Sequence, residues 1–470
     1  MKNNQARVQV NRPWLAMMSM MIGAFVGMLS ETSLNIALPQ LMKAFQINSG
    51  AVQWLVTGYM LVIGIILPFS SLLTKWFTSR QLVITGLIDF IIGAVIAALA
   101  PNFTLLLIGR MIQGLGTGII LPLMFTVAML VFPPRKMGAA MGICALVIML
   151  APAIGPTVTG IILGKLSWNW IFWFFIPFLV IALICALVGL PNVGTITRPK
   201  VDILSLLESI IGFSCLVMGV SFAADFGWAS PTVIIMLAIG IIVLLFYGHR
   251  QLHLQQPIIN LHVFKKIDFA QGALCVMLDF AIILSAMYLL PQYLQRGLLL
   301  PVAVTGIIML PGGIINAAVS AFAGRLFDSL GAKRPTVAGF TIAIIGIVML
   351  LFSNNTSPIA YVIAAHIILM IGCPLAMSPA QTHALNALRG PESADGSTIL
   401  NTMEQIIGAV ATALATSFLS LGQGAYQGLN KAAQFTNGVH YGLYFTLALA
   451  VVGLIIAFTL KSEHSSNEVN

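Results

Sequence analysis

Three ionisable side chains stand where an apolar segment would normally have none. Arg110 interrupts FTLLLIGRMIQGLGTGIILP, Glu31 interrupts MLSETSLNIALP, and Asp279 interrupts ALCVMLDFAIILSAMYLL. A charge inside such a run is costly unless it faces a protein interior or a water-filled cavity and finds a partner. Arg110 lies about seven residues, ~10 Å, inside its run, and Glu31 lies about eight residues from the same end of its own. Their depths therefore agree within one helical turn. The two could pair while Glu31 is ionised and separate when it takes up a proton. Burial favours a neutral carboxyl and a nearby cation favours the ionised one, so a carboxyl moved between such settings loads and releases a proton. The same two groups could equally be a static ion pair that fixes helix packing. Asp279, near the middle of its run, is a second proton site, since an isolated carboxylate there must be protonated, solvated or paired.

Further polar groups sit in apolar runs. Asp89 and Glu404 lie seven or eight residues from one membrane surface by the same count, where each could snorkel or hold a gate. His366 takes, in the second half of the chain, the place that Arg110 has in the first. It could relay protons or simply hydrogen-bond between helices as the neutral imidazole. Asn35, Gln113, Asn316, Gln381 and Asn401 offer uncharged groups for substrate or for helix bridging. Met141, Met149, Met287 and Tyr288 could line a cavity that tolerates varied apolar ligands, because Met repacks easily.

The elements that carry these groups follow from composition. The chain has 470 residues, 59% of them hydrophobic and only 7% charged. The apolar residues come in blocks of about 20, the length a bilayer span needs. We place fourteen spans, roughly at 14–38, 51–73, 81–100, 103–125, 137–164, 169–190, 203–224, 231–248, 268–290, 301–323, 335–353, 358–380, 397–421 and 440–460. The fold class expected is an all-α integral membrane protein. The first block has no small-residue cleavage site after it and reads as a retained span. Seventeen of the 22 Lys and Arg residues fall in the tails and in alternate loops, on one side, and four on the other; that bias puts both termini in the cytoplasm.

The two halves repeat. Leu73–Gln81 aligns with Leu326–Arg334, and each stretch joins the second and third span of a six-helix half. The division expected is therefore a cytoplasmic tail at 1–13, a six-helix half at 14–190, an inserted helix pair at 203–248, a cytoplasmic loop at 249–267, a second six-helix half at 268–460 and a tail at 461–470. Parallel six-helix repeats around a central cavity suit a protein that rocks one half against the other. The 249–267 loop carries QQPIINLHVFKK, a candidate amphipathic segment at the surface, and 422–439 is a Gly- and Gln-rich external loop, either a lid or a flexible connection. Ala151-Pro152 and Gly155-Pro156 interrupt the fifth span, leaving backbone groups that neighbours must satisfy.

Other classes are disfavoured. The net charge of +9 is scattered singly between apolar blocks rather than gathered on a phosphate-binding face, so nucleic acid is not expected as a partner. The five cysteines (Cys144, Cys185, Cys215, Cys275, Cys373) have neither disulfide nor metal spacing. The stretch GIILGKLS at Gly160–Ser167 lacks the spacing of a phosphate-binding loop, and no HExxH occurs, so neither ATP hydrolysis nor metalloenzyme chemistry is expected.

Taken in order, the motifs resemble the major facilitator superfamily, specifically its fourteen-helix drug/proton antiporter branch. LSETSLNIALP in span one is similar to that branch's L-D-x-T-x-x-N-x-A-L-P. Arg110, Gln113, Gly114 and Gly116 are similar to R-x-x-Q-G-x-G, and GPTVTG at 155–160 is similar to the antiporter G-P-x-x-G-G. GRLFDSLGAKR at 324–334 is similar to the superfamily loop G-x-L-x-D-x-x-G-x-K/R-R, and VDILSLL at 201–207 with Gly227-Trp228 also matches the branch. Three departures stand out. The family's span-one Asp falls on Ser30 and the carboxylate is one place on, at Glu31; Lys75 and Thr78 replace the acidic residue and Gly of the first-half loop; Thr159 replaces the first Gly of the closing pair in span five. One step rotates a side chain by about 100° on a helix, so Glu31 need not face what the family Asp faces.

The resemblance implies a proton-coupled multidrug exporter of the cell membrane, a monomer that takes small amphipathic, cationic or neutral compounds, with the proton gradient rather than a cofactor as energy source. It implies that Gly324, Arg325, Asp328, Gly331, Lys333 and Arg334 form a conformational latch. It also implies that Gly155, Pro156 and Gly160 suppress leak in the antiporter helix. A transporter of one native metabolite, lipid or peptide, and a non-transporting sensor of this fold, remain the alternatives.

Overall fold

The computed structural model describes residues 13–132, 134–192, 196, 202–255, 257–388, 391–426 and 430–461. Among them are fourteen long α-helices: α1 (Pro13–Phe45), α2 (Ser49–Trp76), α3 (Ser79–Ala98), α4 (Phe103–Val131), α5 (Pro134–Lys165), α6 (Asn169–Gly189), α7 (Ile203–Phe226), α8 (Pro231–His253), α9 (Ile267–Gln292), α10 (Val302–Leu330), α11 (Lys333–Leu351), α12 (Ile359–Asn386), α13 (Pro391–Ala425) and α14 (Lys431–Thr459). All fourteen carry a stretch long and apolar enough to cross a membrane. Helices are what such sequence must form, because hydrocarbon offers no partner to an unpaired backbone group.

The helices outrun the apolar runs at several ends, since polar residues cap them beyond the hydrocarbon. Asn48 accepts from Ala51 N at 2.8 Å, Asn102 from Leu105 N at 2.9 Å and Asn430 from Ala433 N at 2.7 Å, while Thr78 and Gln81 form a reciprocal capping box. Asn430 also explains why 422–439 is not a long loop: α13 runs to Ala425 and α14 starts at Lys431. The 249–267 segment is likewise shorter and less superficial than expected. α8 continues to His253, and a 3₁₀ turn at Leu261–Lys265 tucks Val263 and Ile259 into an apolar cluster with Tyr247, Phe269, Leu388 and Leu400. Burying both apolar residues against α9, α12 and α13 outweighs leaving them at a surface.

Helices α1–α6 pack on one another, as do α9–α14, and the two groups meet along two seams, α2 against α13 and α5 against α10. α7 pairs with α8 and also leans on α2 and α13, so the inserted pair covers one seam. Small residues set the second seam. A Cβ on Gly160 would stand 3.0 Å from Gly306 Cα, and Thr157 Oγ1 donates to Gly306 O at 2.9 Å. Despite Pro152 and Pro156, α5 is one continuous helix. It approaches its neighbours closely at Gly155, against Thr32 and Leu29, and at Gly160. We call the end of the bundle that carries Pro13 and Lys461 the tail side and the opposite end the far side; Gly160 and Gly306 lie toward the far side.

Candidate functional site

Arg110 is fully buried, and its guanidinium is held from three helices. Nε donates to Leu55 O of α2 at 3.1 Å, and Nη1 donates to Ser30 Oγ of α1 at 2.6 Å and to Gln113 Oε1 one turn along α4 at 2.7 Å. The Tyr59 ring lies beneath it, 4.0 Å from centroid to Cζ. That ring is pinned by its own hydroxyl, which donates to Gly27 O at 2.9 Å and lies 2.8 Å from Thr117 Oγ1. Glycines make this possible: a Cβ on Gly27 would collide with Thr117, so α1 and α4 meet closely enough for Arg110 to reach Ser30.

The expected Arg110–Glu31 ion pair does not form. The ion pairs among the described residues are Arg250–Asp202, Lys266–Glu392 and Lys461–Asp268. The reason is the one-residue step noted above. Ser30 occupies the face that meets Arg110, and Glu31, rotated about 100°, turns toward the seam, where Gln405 of α13 is its polar neighbour. Arg110 still acts on it electrostatically, without contact. Glu31 is 2% exposed and its Oε2 has no hydrogen-bond partner.

Across the seam two more carboxyls continue the line. Glu404 of α13 is electrostatically coupled to Glu31, and Asp279 of α9 to Glu404. Both are buried, and Cys373 of α12 lies beside Asp279. α13 begins at Pro391, ahead of the expected 397, so Glu404 stands in its fourth turn. Glu31, Glu404 and Asp279 thus lie near enough, from α1 through α13 to α9, for each to feel the charge of the next, with no direct hydrogen bond joining them among the described residues.

His366 of α12 lies elsewhere, at a cavity of about 50 Å³ between α5, α9, α10 and α12. Asn316, Met287, Met309 and Met370 share its wall with Pro152 and Pro156. The imidazole is 3% exposed, its Nδ1 has no partner, and it fits against α10 only because residue 312 is Gly, whose Cβ would collide with the ring. Asn316 Nδ2 approaches Met370 Sδ at 3.7 Å. Met287, suggested by the sequence as a cavity residue, lines this cavity, whereas the side chains of Met141 and Met149 lie outside the described residues.

The remaining candidates are scattered. Asn35 is buried on α1 with its Oδ1 unpartnered. Asp89 is half-buried on α3, which packs on α4 and α6 away from both seams. In the 324–334 stretch the side chains of Arg325 and Asp328 lie outside the described residues. Gly331 ends α10 at φ +70°, a left-handed turn that favours Gly, with its N–H on Phe327 O at 2.9 Å, and Lys333 opens α11 with Arg334 next. Sequence reasoning missed Tyr59 and Gln405. Only its spatial place over Arg110 distinguishes Tyr59; Gln405 follows Glu404 directly and could have been flagged with it.

The Major Facilitator Superfamily model matches residues 20–412. The chain belongs to that superfamily. This major facilitator is 46% identical over 457 residues to the lincomycin resistance protein LmrB of Bacillus subtilis, covering 95% of each chain. It is 25% identical to a multidrug resistance protein B homolog of Mycobacterium tuberculosis, over 83% of this chain and 73% of that protein. Its fold is similar to a crystal structure of the peptide transporter POT in complex with sulfate, with TM-score 0.69 and 15% identity over 95% of this chain and 96% of that one. The major facilitator described here is thus a multi-pass membrane transporter and not an enzyme.

Proposed function

We propose that this transporter exports small amphipathic compounds, cationic or neutral, in exchange for protons, from a plasma membrane in which both termini are cytoplasmic, and that it works as a monomer. The observation that carries the reading is the position of Glu31. It stands between a fixed cation of its own half, Arg110, and polar groups of the other half, Gln405 and Glu404. When the halves rock, the distance from Glu31 to Arg110 is kept while its distance to Gln405 and Glu404 changes. A carboxyl so placed feels a different field in each arrangement, which is what couples its protonation to the conformation.

The ligand reading rests on the lining of the His366 cavity, which at about 50 Å³ must widen as the halves rock to admit a drug-sized molecule. Thioethers and prolines give it an adaptable apolar wall, and His366 and Asn316 give two polar anchors. The names of the relatives, lincomycin resistance and multidrug resistance, support export of drug-like molecules over uptake of a nutrient.

Proteoliposomes with an imposed proton gradient test this, with a lipophilic fluorescent cation and a lincosamide as substrates. The expected result is gradient-driven transport by the wild type, abolished by Glu31→Gln with ligand binding retained. Asp279→Asn and Glu404→Gln would show whether the other two carboxyls carry protons. A wild type that moves neither probe under any gradient would end the multidrug reading.

A further inference from the structure

We infer that the far side of the transporter holds an anion-binding cleft built to take a phosphate headgroup across the junction of the two halves. The cleft, about 610 Å³, lies between the end of α1 and the turn that joins α9 to α10. Its charged lining residues are Lys43 of the first half and Arg296 of the second, both cationic.

Neither cation is neutralised: among the described residues no ion pair involves Lys43 or Arg296. Arg296 is half-buried, with Nη1 3.6 Å from Met42 Sδ and Cζ 4.6 Å from the Phe435 ring centroid. These contacts fix the guanidinium and leave most of its five donors unused. A π turn at Tyr293–Gly297 carries it, and Gln295 in the same turn crosses to the first half, donating to Ile36 O at 3.0 Å.

Two other features point to the same ligand. α10 starts at the cleft wall, at Pro301 and Val302, with no side-chain cap. Its first-turn N–H groups have no acceptor within the helix, and the positive end of its dipole adds to the two cations and offsets the negative end of α1, whose last turn carries Lys43. Gln40, also in the wall, adds an amide to the polar lining. A ligand that suits all of these is an anion with hydrogen-bonding groups of its own, such as a phosphate ester bearing hydroxyls. Ile47, Leu299 and Leu300 supply apolar walls beside the polar centre, as the glycerol and acyl carbons of a lipid would require. The source we assign is an anionic phospholipid of the far leaflet; free phosphate shares the chemistry.

Bridging Lys43 and Arg296 holds the far ends of the halves together. The bound anion therefore favours the arrangement closed on that side, a consequence that rests on the transport reading, whereas binding itself does not.

Native mass spectrometry of purified, delipidated protein, re-exposed to phosphatidylglycerol or phosphatidylcholine vesicles, tests the cleft. Wild type should retain phosphatidylglycerol about tenfold better than K43Q/R296Q, a loss of about 1.4 kcal/mol. R296K should retain most of it, and K431Q, at another far-side lysine, should match wild type. Size-exclusion profiles confirm folding of each variant, and R296K, which keeps both charges, guards against a misfolded double variant. If inorganic phosphate at millimolar level stabilises wild type but not K43Q/R296Q and no lipid is retained, the cleft stands and its ligand is free phosphate. Equal retention by wild type and K43Q/R296Q, with no phosphate effect on either, overturns the proposal whatever the transport assay shows.

Discussion

Arg110 Nη1 donates to Ser30 Oγ at 2.6 Å, and the carboxyl one residue on, Glu31, belongs to the other face of α1. The cation and the carboxyl therefore do separate jobs. Arg110 ties α1, α2 and α4 into one body, and Glu31 is left free to answer to the opposite half.

Ser30→Ala should destabilise the protein. It strips a charge-assisted hydrogen bond from a buried guanidinium, a loss of ~1.5–3 kcal/mol. Thermal unfolding of the purified protein reads this, and a shift no larger than that of an exposed Ser→Ala change, for example at Ser329, would count against the role given to Ser30.

Arg110→Lys should not rescue Arg110. The five-donor fork serves Leu55, Ser30 and Gln113 at once and stacks on Tyr59, which an ammonium cannot reproduce. Transport under a proton gradient should fall at least about tenfold, equivalent to about 1.4 kcal/mol. Near-normal transport by the Lys variant would show that only the charge matters.

Gly312→Ala should push the His366 ring out of its place beside α10. Substrate affinity should weaken several-fold, read as a raised KM with little change in maximal rate, because the change touches the cavity and not the three carboxyls. A pure loss of maximal rate would place His366 in the proton path instead.

On the tail side, Arg250 donates to Asp202 at 2.7 and 2.8 Å, and with Ser205 it pulls the Asp202 carboxyl down to about 2 from an ordinary 3.8. A carboxyl held low stabilises the fold above its ordinary value and loses that contribution as pH falls toward 2. Unfolding temperature followed from about pH 5 to about pH 2 should drop less steeply in Asp202→Asn than in wild type. Parallel curves would mean the clasp at the start of α7 adds nothing to stability.

Much of this architecture was legible before any coordinates. Fourteen apolar blocks became fourteen helices, and the glycines of the fourth and fifth spans became close contacts. The resemblance drawn from short motifs led to the right superfamily. The long helix ends and the docked 249–267 segment were less visible, because capping residues and buried loop positions carry little signal outside a hydropathy window. The same holds for the three carboxyls: Glu31, Asp279 and Glu404 were each recognisable as costly in an apolar run, yet nothing in their spacing says that they come near one another.

Apolar blocks of about 20 residues settle the helices, since hydrocarbon leaves a backbone only the helix or the closed β-barrel, and a barrel strand is about ten residues of alternating character. The same patterns mark which polar groups need a reason to be there. Who partners whom depends on the rotation of each helix about its axis and on where glycines let two helices meet. A single residue step between Ser30 and Glu31 turns an expected ion pair into a helix clamp and a separate carboxyl, and only the packed bundle decides which group each one faces.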